Sequence, residues 1–128
     1  MYEQDYIMRL IRNAIKFIAK VFLHVKDDDE ISYDLLFENE NSQTDYLHNE
    51  LLELIQLGKI NEAENLLYEK LDAGNKKHLV LALDFYNRIN DFNDDFLEEN
   101  NFSREEIADG LKDIAKKFGL KDELLFLE

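Results

Sequence analysis

Not one proline occurs in the 128 residues, and glycine occurs only four times, at positions 58, 74, 110 and 119. Proline removes a helix hydrogen bond and clashes with the preceding turn, and glycine in a helix interior costs about 1 kcal/mol relative to alanine. A chain almost free of both can run in long helices with few enforced stops. Strand signals are weak beside this, because Val, Ile and Thr never alternate with polar residues over a useful run. The expectation is an all-α fold: a compact bundle of about five helices forming a single domain over residues 1–128. The apolar fraction is 45%, with nine Phe and six Tyr, so a real core is available despite the charge. A chain of this length buries roughly 65–70% of its unfolded surface.

Charge divides the chain in two. Residues 1–26 carry Arg9, Arg12, Lys16, Lys20 and Lys26 against Glu3 and Asp5, whereas the whole chain carries a net charge of −14. The body after residue 26 is therefore strongly acidic. On a helix, Arg9, Arg12, Lys16 and Lys20 make one basic stripe. Opposite them Ile7, Ile11, Ala14, Ile18, Phe22 and Val25 make an apolar one. Residues 1–26 thus read as a long basic amphipathic helix. Its apolar arc is broadened by Leu10, Phe17 and Val21 on one side and by Met8, Ile15 and Ala19 on the other. An arc this wide wants a groove between two helices, or a second copy of itself in a homodimer.

Further along, a short apolar segment spans 31–37, a polar connector spans 38–43, and a helix begins near Thr44 and stops at Gly58. The next helix is expected to start at Asn61 as N-cap, with Glu64 in a capping-box position, and to stop at Gly74. Residues 44–74 then form a helical hairpin. With Gly58 in its turn and Ala63 as a small packing residue, it resembles a tetratricopeptide (TPR) hairpin, as a single unit and not an array. Two further helices are expected over 75–119: one from Asn75 to about Glu98, and one capped by Ser103 with Glu106 three residues on and ended by Gly119. Phe85, Phe92 and Phe96 extend the apolar surface of the first of these round to a second side, and "KDELLFLE" closes the chain as a last apolar turn.

The N-terminal string "YEQDYIMRLIRNAIKFIAKVFL" resembles the opening of a family of short, uncharacterised all-helical proteins of Gram-positive bacteria. The resemblance implies an all-helical bacterial protein. It brings no activity and no site residues with it.

The residues that carry chemistry are sparse. Cysteine is absent, which excludes disulfides, thiolate nucleophiles and zinc–thiolate sites. Serine occurs at 32, 42 and 103, in no nucleophile motif, and the histidines at 24, 48 and 78 have neither metal nor catalytic spacing. Asp91, Asp94, Asp95, Glu98 and Glu99 read as a solvated acidic patch. No enzyme activity, catalytic residue, metal or cofactor is expected. The first residues contain acids and no small-residue cleavage site follows, so a secretory leader is not expected either, and the expected location is cytoplasmic.

The leading functional expectation is an interaction module for an unidentified protein or peptide partner. Its surface would draw on Arg9, Arg12, Lys16, Lys20, Phe85, Phe92 and Phe96. One alternative is a peripheral membrane protein that uses the basic helix on an anionic surface. Another is an acidic nucleic-acid mimic or inhibitor. Binding to nucleic acid itself is not expected, since the net charge repels phosphate.

Overall fold

The computed structural model describes residues 2–23 and 43–119. They form α1 (Tyr2–Leu23), α2 (Gln43–Gln56), α3 (Ile60–Lys70), α4 (Lys76–Asn90), α5 (Asp94–Glu99) and α6 (Arg104–Lys117). No strand occurs among the described residues. The expected segment 31–37, the connector up to residue 42 and the C-terminal apolar turn lie outside them.

The fold is an all-α bundle built round α4. Every residue of α4 from Leu79 to Tyr86 is buried, as are Ile89 and Asn90. A helix covered on all sides must have neighbours on all sides. Here α1, α2 and α6 pack on α4, while α1 also lies against α6 and α2 against α3. The groove between α4 and α6 is what α1 fills. Ile11, Ala14, Ile15, Ile18 and Ala19 are buried in it, with Ile7 and Phe22 packed at its edges. Burying one isoleucine contributes roughly 1.5–3 kcal/mol, so Ile11, Ile15 and Ile18 outweigh the few tenths of a kcal/mol expected from ion pairs along the helix surface. α1 is fixed by its apolar face.

The hairpin turn follows from one glycine. Gly58 has φ +77°. Its N–H donates to the Ile55 carbonyl at 3.0 Å, and that of Lys59 to the Leu54 carbonyl at 2.8 Å, which together close the last carbonyls of α2. The side chain of Asn100 fills the space beside it, and a Cβ at position 58 would stand 2.5 Å from Asn100 Oδ1. The tight turn leads straight into α3, so the expected start at Asn61 is corrected: Lys59 is the N-cap and makes no side-chain cap bond. Asn61 donates to the Asn101 carbonyl at 3.1 Å instead. The expected stop at Gly74 is also corrected. α3 ends at Lys70, Leu71 turns extended, and Gly74 lies in a turn where its N–H donates to Asp72 Oδ1 at 2.9 Å.

Residues 75–119 hold three helices, not two. The expected helix from Asn75 to Glu98 breaks after Asn90. Asn93 becomes a new N-cap, accepting from the Phe96 N–H at 2.8 Å, and Asp94 and Asp95 favour the positive end of the helix dipole that starts there. The break is held from a distance. Arg104 Nη1 donates to the Asn90 carbonyl at 2.7 Å and to Asn90 Oδ1 at 3.1 Å, and Nη2 donates to the Phe92 carbonyl. Arg104 Nε lies 3.2 Å from Asp94 Oδ1, an ionic contact without hydrogen-bond direction. Asn90 in turn donates to the Met8 carbonyl of α1 at 3.1 Å. One buried guanidinium and one buried amide thus tie α1, α4 and α6 together. The helix-start signal at Ser103 is realised, with Ser103 Oγ accepting from the Glu106 N–H at 3.2 Å.

Two outcomes follow. Arg104→Met leaves the Asn90 and Phe92 carbonyls without their donor, and unsatisfied buried groups cost about 1–3 kcal/mol each; urea unfolding should show a loss of at least ~2 kcal/mol. Asn75 caps α4, its Oδ1 accepting from the Lys77 N–H at 2.9 Å; Ser103→Ala and Asn75→Ala should each cost about 1 kcal/mol as lost caps, whereas Asn61→Ala should cost clearly less, and an equal loss at Asn61 would restore it as a cap.

Candidate functional site

A cleft of about 660 Å³ opens between α2 and the C-terminal half of α4, lined by Asn49, Leu52, Glu53, Ile55, Gln56, Arg88, Asp91 and Phe92. Its polar centre is built from inside the bundle. Asp84 is buried on α4, and an unpaired carboxylate there would cost several kcal/mol. Arg88, one turn on, answers it: Nε stands 3.0 Å from both Asp84 oxygens. The buried His48 of α2 places Nδ1 3.4 Å from Asp84 Oδ2. The guanidinium is thus held from behind while its half-exposed side chain lines the cleft. Leu52, Ile55 and Phe92 supply apolar wall.

The residues expected to form an interaction surface fall in different places. Arg9, Lys16 and Lys20 lie exposed on the outer face of α1, and Arg12 is half-buried. Arg12 Nη2 stands 3.6 Å from Asp91 Oδ1, so the basic stripe meets the acidic body at the cleft edge. Phe85 is corrected: it is buried in the core, its ring edge-on to Tyr86 at 5.1 Å between centroids. Phe92 and Phe96 sit at the corner between α4 and α5, half-buried, their rings tilted with centroids 4.5 Å apart. They do not continue a face of α4, because the helix has ended before them. Among the described residues, no group of His, Asp or Glu could hold a metal ion.

A second polar cluster joins α3, α4 and α6. The Tyr86 hydroxyl donates to Glu64 Oε2 at 2.7 Å. Since this uses its only proton, the Tyr68 hydroxyl, 2.8 Å away, donates to Tyr86. Tyr68 also reaches the Gly110 carbonyl at 3.4 Å. Gly110 is small for a reason: a Cβ there would run into the Tyr86 phenol. Burial pushes the Tyr68 hydroxyl up to about 12, despite its bond to Tyr86, and drives that of Tyr86 higher still. Burial also raises Glu64, against the lowering effect of the Tyr86 hydrogen bond and helped by the negative charges of Glu106 and Asp113. These shifts keep both phenols neutral and make the cluster a hydrogen-bonded joint.

Leu52, Arg88 and Asp84 are among the site residues that sequence reasoning missed. The run "HLVLALDFYNRI" did contain a signal: one acid inside an apolar stretch, with Arg four residues on, marks a buried ion pair.

The Glu64 shift sets a sign. Its folded pKa lies above the ordinary 4.5, so the folded state binds the proton more tightly. Its contribution to stability is full below that value and is lost as pH rises through the folded pKa. Glu64→Gln keeps an acceptor for Tyr86 without titrating. In urea unfolding, the wild type should therefore gain on Glu64→Gln when pH falls from neutral to about 4.5; an unchanged difference would contradict this assignment.

No helix among the described residues is long and apolar enough to cross a membrane. No curated protein and no solved structure matches the chain. One family matches over residues 1–119, described as a family of unknown function (DUF6483). On that coverage the chain belongs to the DUF6483 family.

Proposed function

We propose that this protein is a non-enzymatic, cytoplasmic protein–protein interaction module that engages a protein or peptide partner over the face containing the α2–α4 cleft. The TPR-like hairpin of α2 and α3 supplies one wall. The observation that carries the reading is the cleft itself: a guanidinium fixed by a buried carboxylate, set among Leu52, Ile55 and Phe92. Arginine and aromatic side chains held rigid beside apolar surface are what binding hot spots are made of. Large apolar side chains stand exposed on the outer side of the same hairpin, with Tyr46 71% and Leu57 68% accessible.

A second reading is a peripheral membrane protein. Its support is the outer face of α1, where Arg9, Lys16 and Lys20 lie beside the exposed Tyr6. Co-sedimentation that rises with the anionic lipid content of vesicles would favour it; indifference to that content would end it. The nucleic-acid mimic has only net charge in its favour.

For the leading reading, a photo-crosslinking residue at Asn49 in the native host should capture a protein that the same probe at Glu69, exposed on α3, does not. Leu52→Glu should weaken that capture by roughly thirtyfold or more, the scale of one lost hot spot. Capture that is equal at both positions, or of chaperones alone, would sink the reading.

A further inference from the structure

We propose that the partner is a second copy of this chain, with the outer face of α1 in each copy laid against the outer face of α2 in the other. The proposal rests on the interaction reading above and names its occupant.

Among the described residues, the large hydrophobics that stand exposed are Tyr6, Val21, Tyr46 and Leu57. Tyr6 and Val21 belong to α1, Tyr46 to α2 and Leu57 to the turn that follows it, and in each case the exposed charges between the two have one sign. Between Tyr6 and Val21 the exposed side chains include Arg9 and Lys16. Between Tyr46 and Leu57 they include Glu50 and Glu53. Tyr46, Glu50 and Glu53 follow one another at helical spacing and form a single ridge on α2, with Leu57 in the turn at its end. The outer face of α1 is thus basic beside the exposed Tyr6, with Val21 on its flank, and the ridge of α2 is acidic between Tyr46 and the turn residue Leu57. Each offers what the other lacks.

The two faces also both approach Asp91. Asp91 marks the junction: it pairs with Arg12 of α1 and lines the cleft with Asn49 and Glu53 of α2. A surface that carries both halves of a complementary pair beside one another can close on a second copy by two-fold rotation, each α1–α2 contact occurring twice. Two copies at a net charge of −14 each repel at long range. Lining up cations with anions at the contact removes that repulsion where it would be strongest, and no acidic partner has to be supplied from outside.

The test is a charge swap on the full chain, read by sedimentation equilibrium. The wild type should associate reversibly to twice its 15.2 kDa mass. Arg9→Glu with Lys16→Glu makes both faces acidic, and Glu50→Lys with Glu53→Lys makes both basic. Each double variant alone should self-associate at least tenfold more weakly. Mixed, they should form a heterodimer near wild-type affinity, because every α1–α2 contact then pairs opposite charges. Circular dichroism checks that each variant stays helical. If one does not, Tyr46→Ser with Leu57→Ser takes its place and must weaken the wild-type dimer by a similar factor. A wild type that stays monomeric at high micromolar concentration overturns the proposal, as does a mixture no tighter than either variant alone, or reversals that leave the dimer intact. If the dimer is absent while Asn49 still captures another protein, the interaction reading stands and this proposal falls; if both are absent, both fall.

Discussion

The bundle depends on how the end of α4 is closed. The last carbonyls of a helix have no partner within it; at α4 those of Arg88 and Ile89 accept from the Asp91 and Phe92 N–H groups, and that of the buried Asn90 is left. Arg104 supplies the donors at Asn90 and Phe92, and Asn90 passes the connection on to Met8. Because Arg104 opens α6, the same contact sets where α6 begins, that α6 runs back along α4, and how far α1 can slide in the groove between them. Arg104 is almost fully buried. Its charge is tolerated because carbonyl oxygens and Asp94 surround it, in the way that buried charges require partners.

The Tyr86 joint works toward the same end at the middle of the bundle. A tyrosine fully inside a core must place its hydroxyl somewhere polar, and Glu64 of α3 and Tyr68 provide that place. The bare backbone at Gly110 lets the ring pass close to α6. The hairpin is thereby attached to the bundle by hydrogen bonds at one end and by the Asn100 side chain lodged against Gly58 at the other. Neither attachment makes the cleft, but both hold the wall that α2 presents to it.

Helix positions were largely legible in the sequence, and helix ends were legible where their chemistry is local. Ser103 with Glu106, Gly58 with its positive φ, and the Ile11–Ala14–Ile18 stripe all act through residues a turn or less away. The break after Asn90 was not legible. Nothing between Leu79 and Glu98 forbids a helix, and what stops it is Arg104, fourteen residues past Asn90. Asn61 shows the reverse case: a good local cap displaced because the turn at Gly58 had already fixed the path of the chain. The candidate site was less legible than the fold. The stripe of α1 is where the sequence put it, but Phe85 faces inward because α4 has neighbours all round. The cleft joins Leu52 to Arg88 across two intervening turns and a helix, a distance that periodicity does not read.

The bond from Asn90 to Met8 spans 82 residues, and this has a consequence for synthesis. α1 is synthesised before α4 and α6, the helices that cover it. Its apolar face needs both α4 and α6, and α6 is complete only about 90 residues after α1 ends. At 5–20 residues per second that is an interval of roughly 5–20 s. Throughout it, the nascent chain carries a basic helix with an uncovered isoleucine stripe. The acidic segments that follow emerge next to it. In the cell, then, the charge asymmetry of this chain is met as an order in time, cations first and anions after.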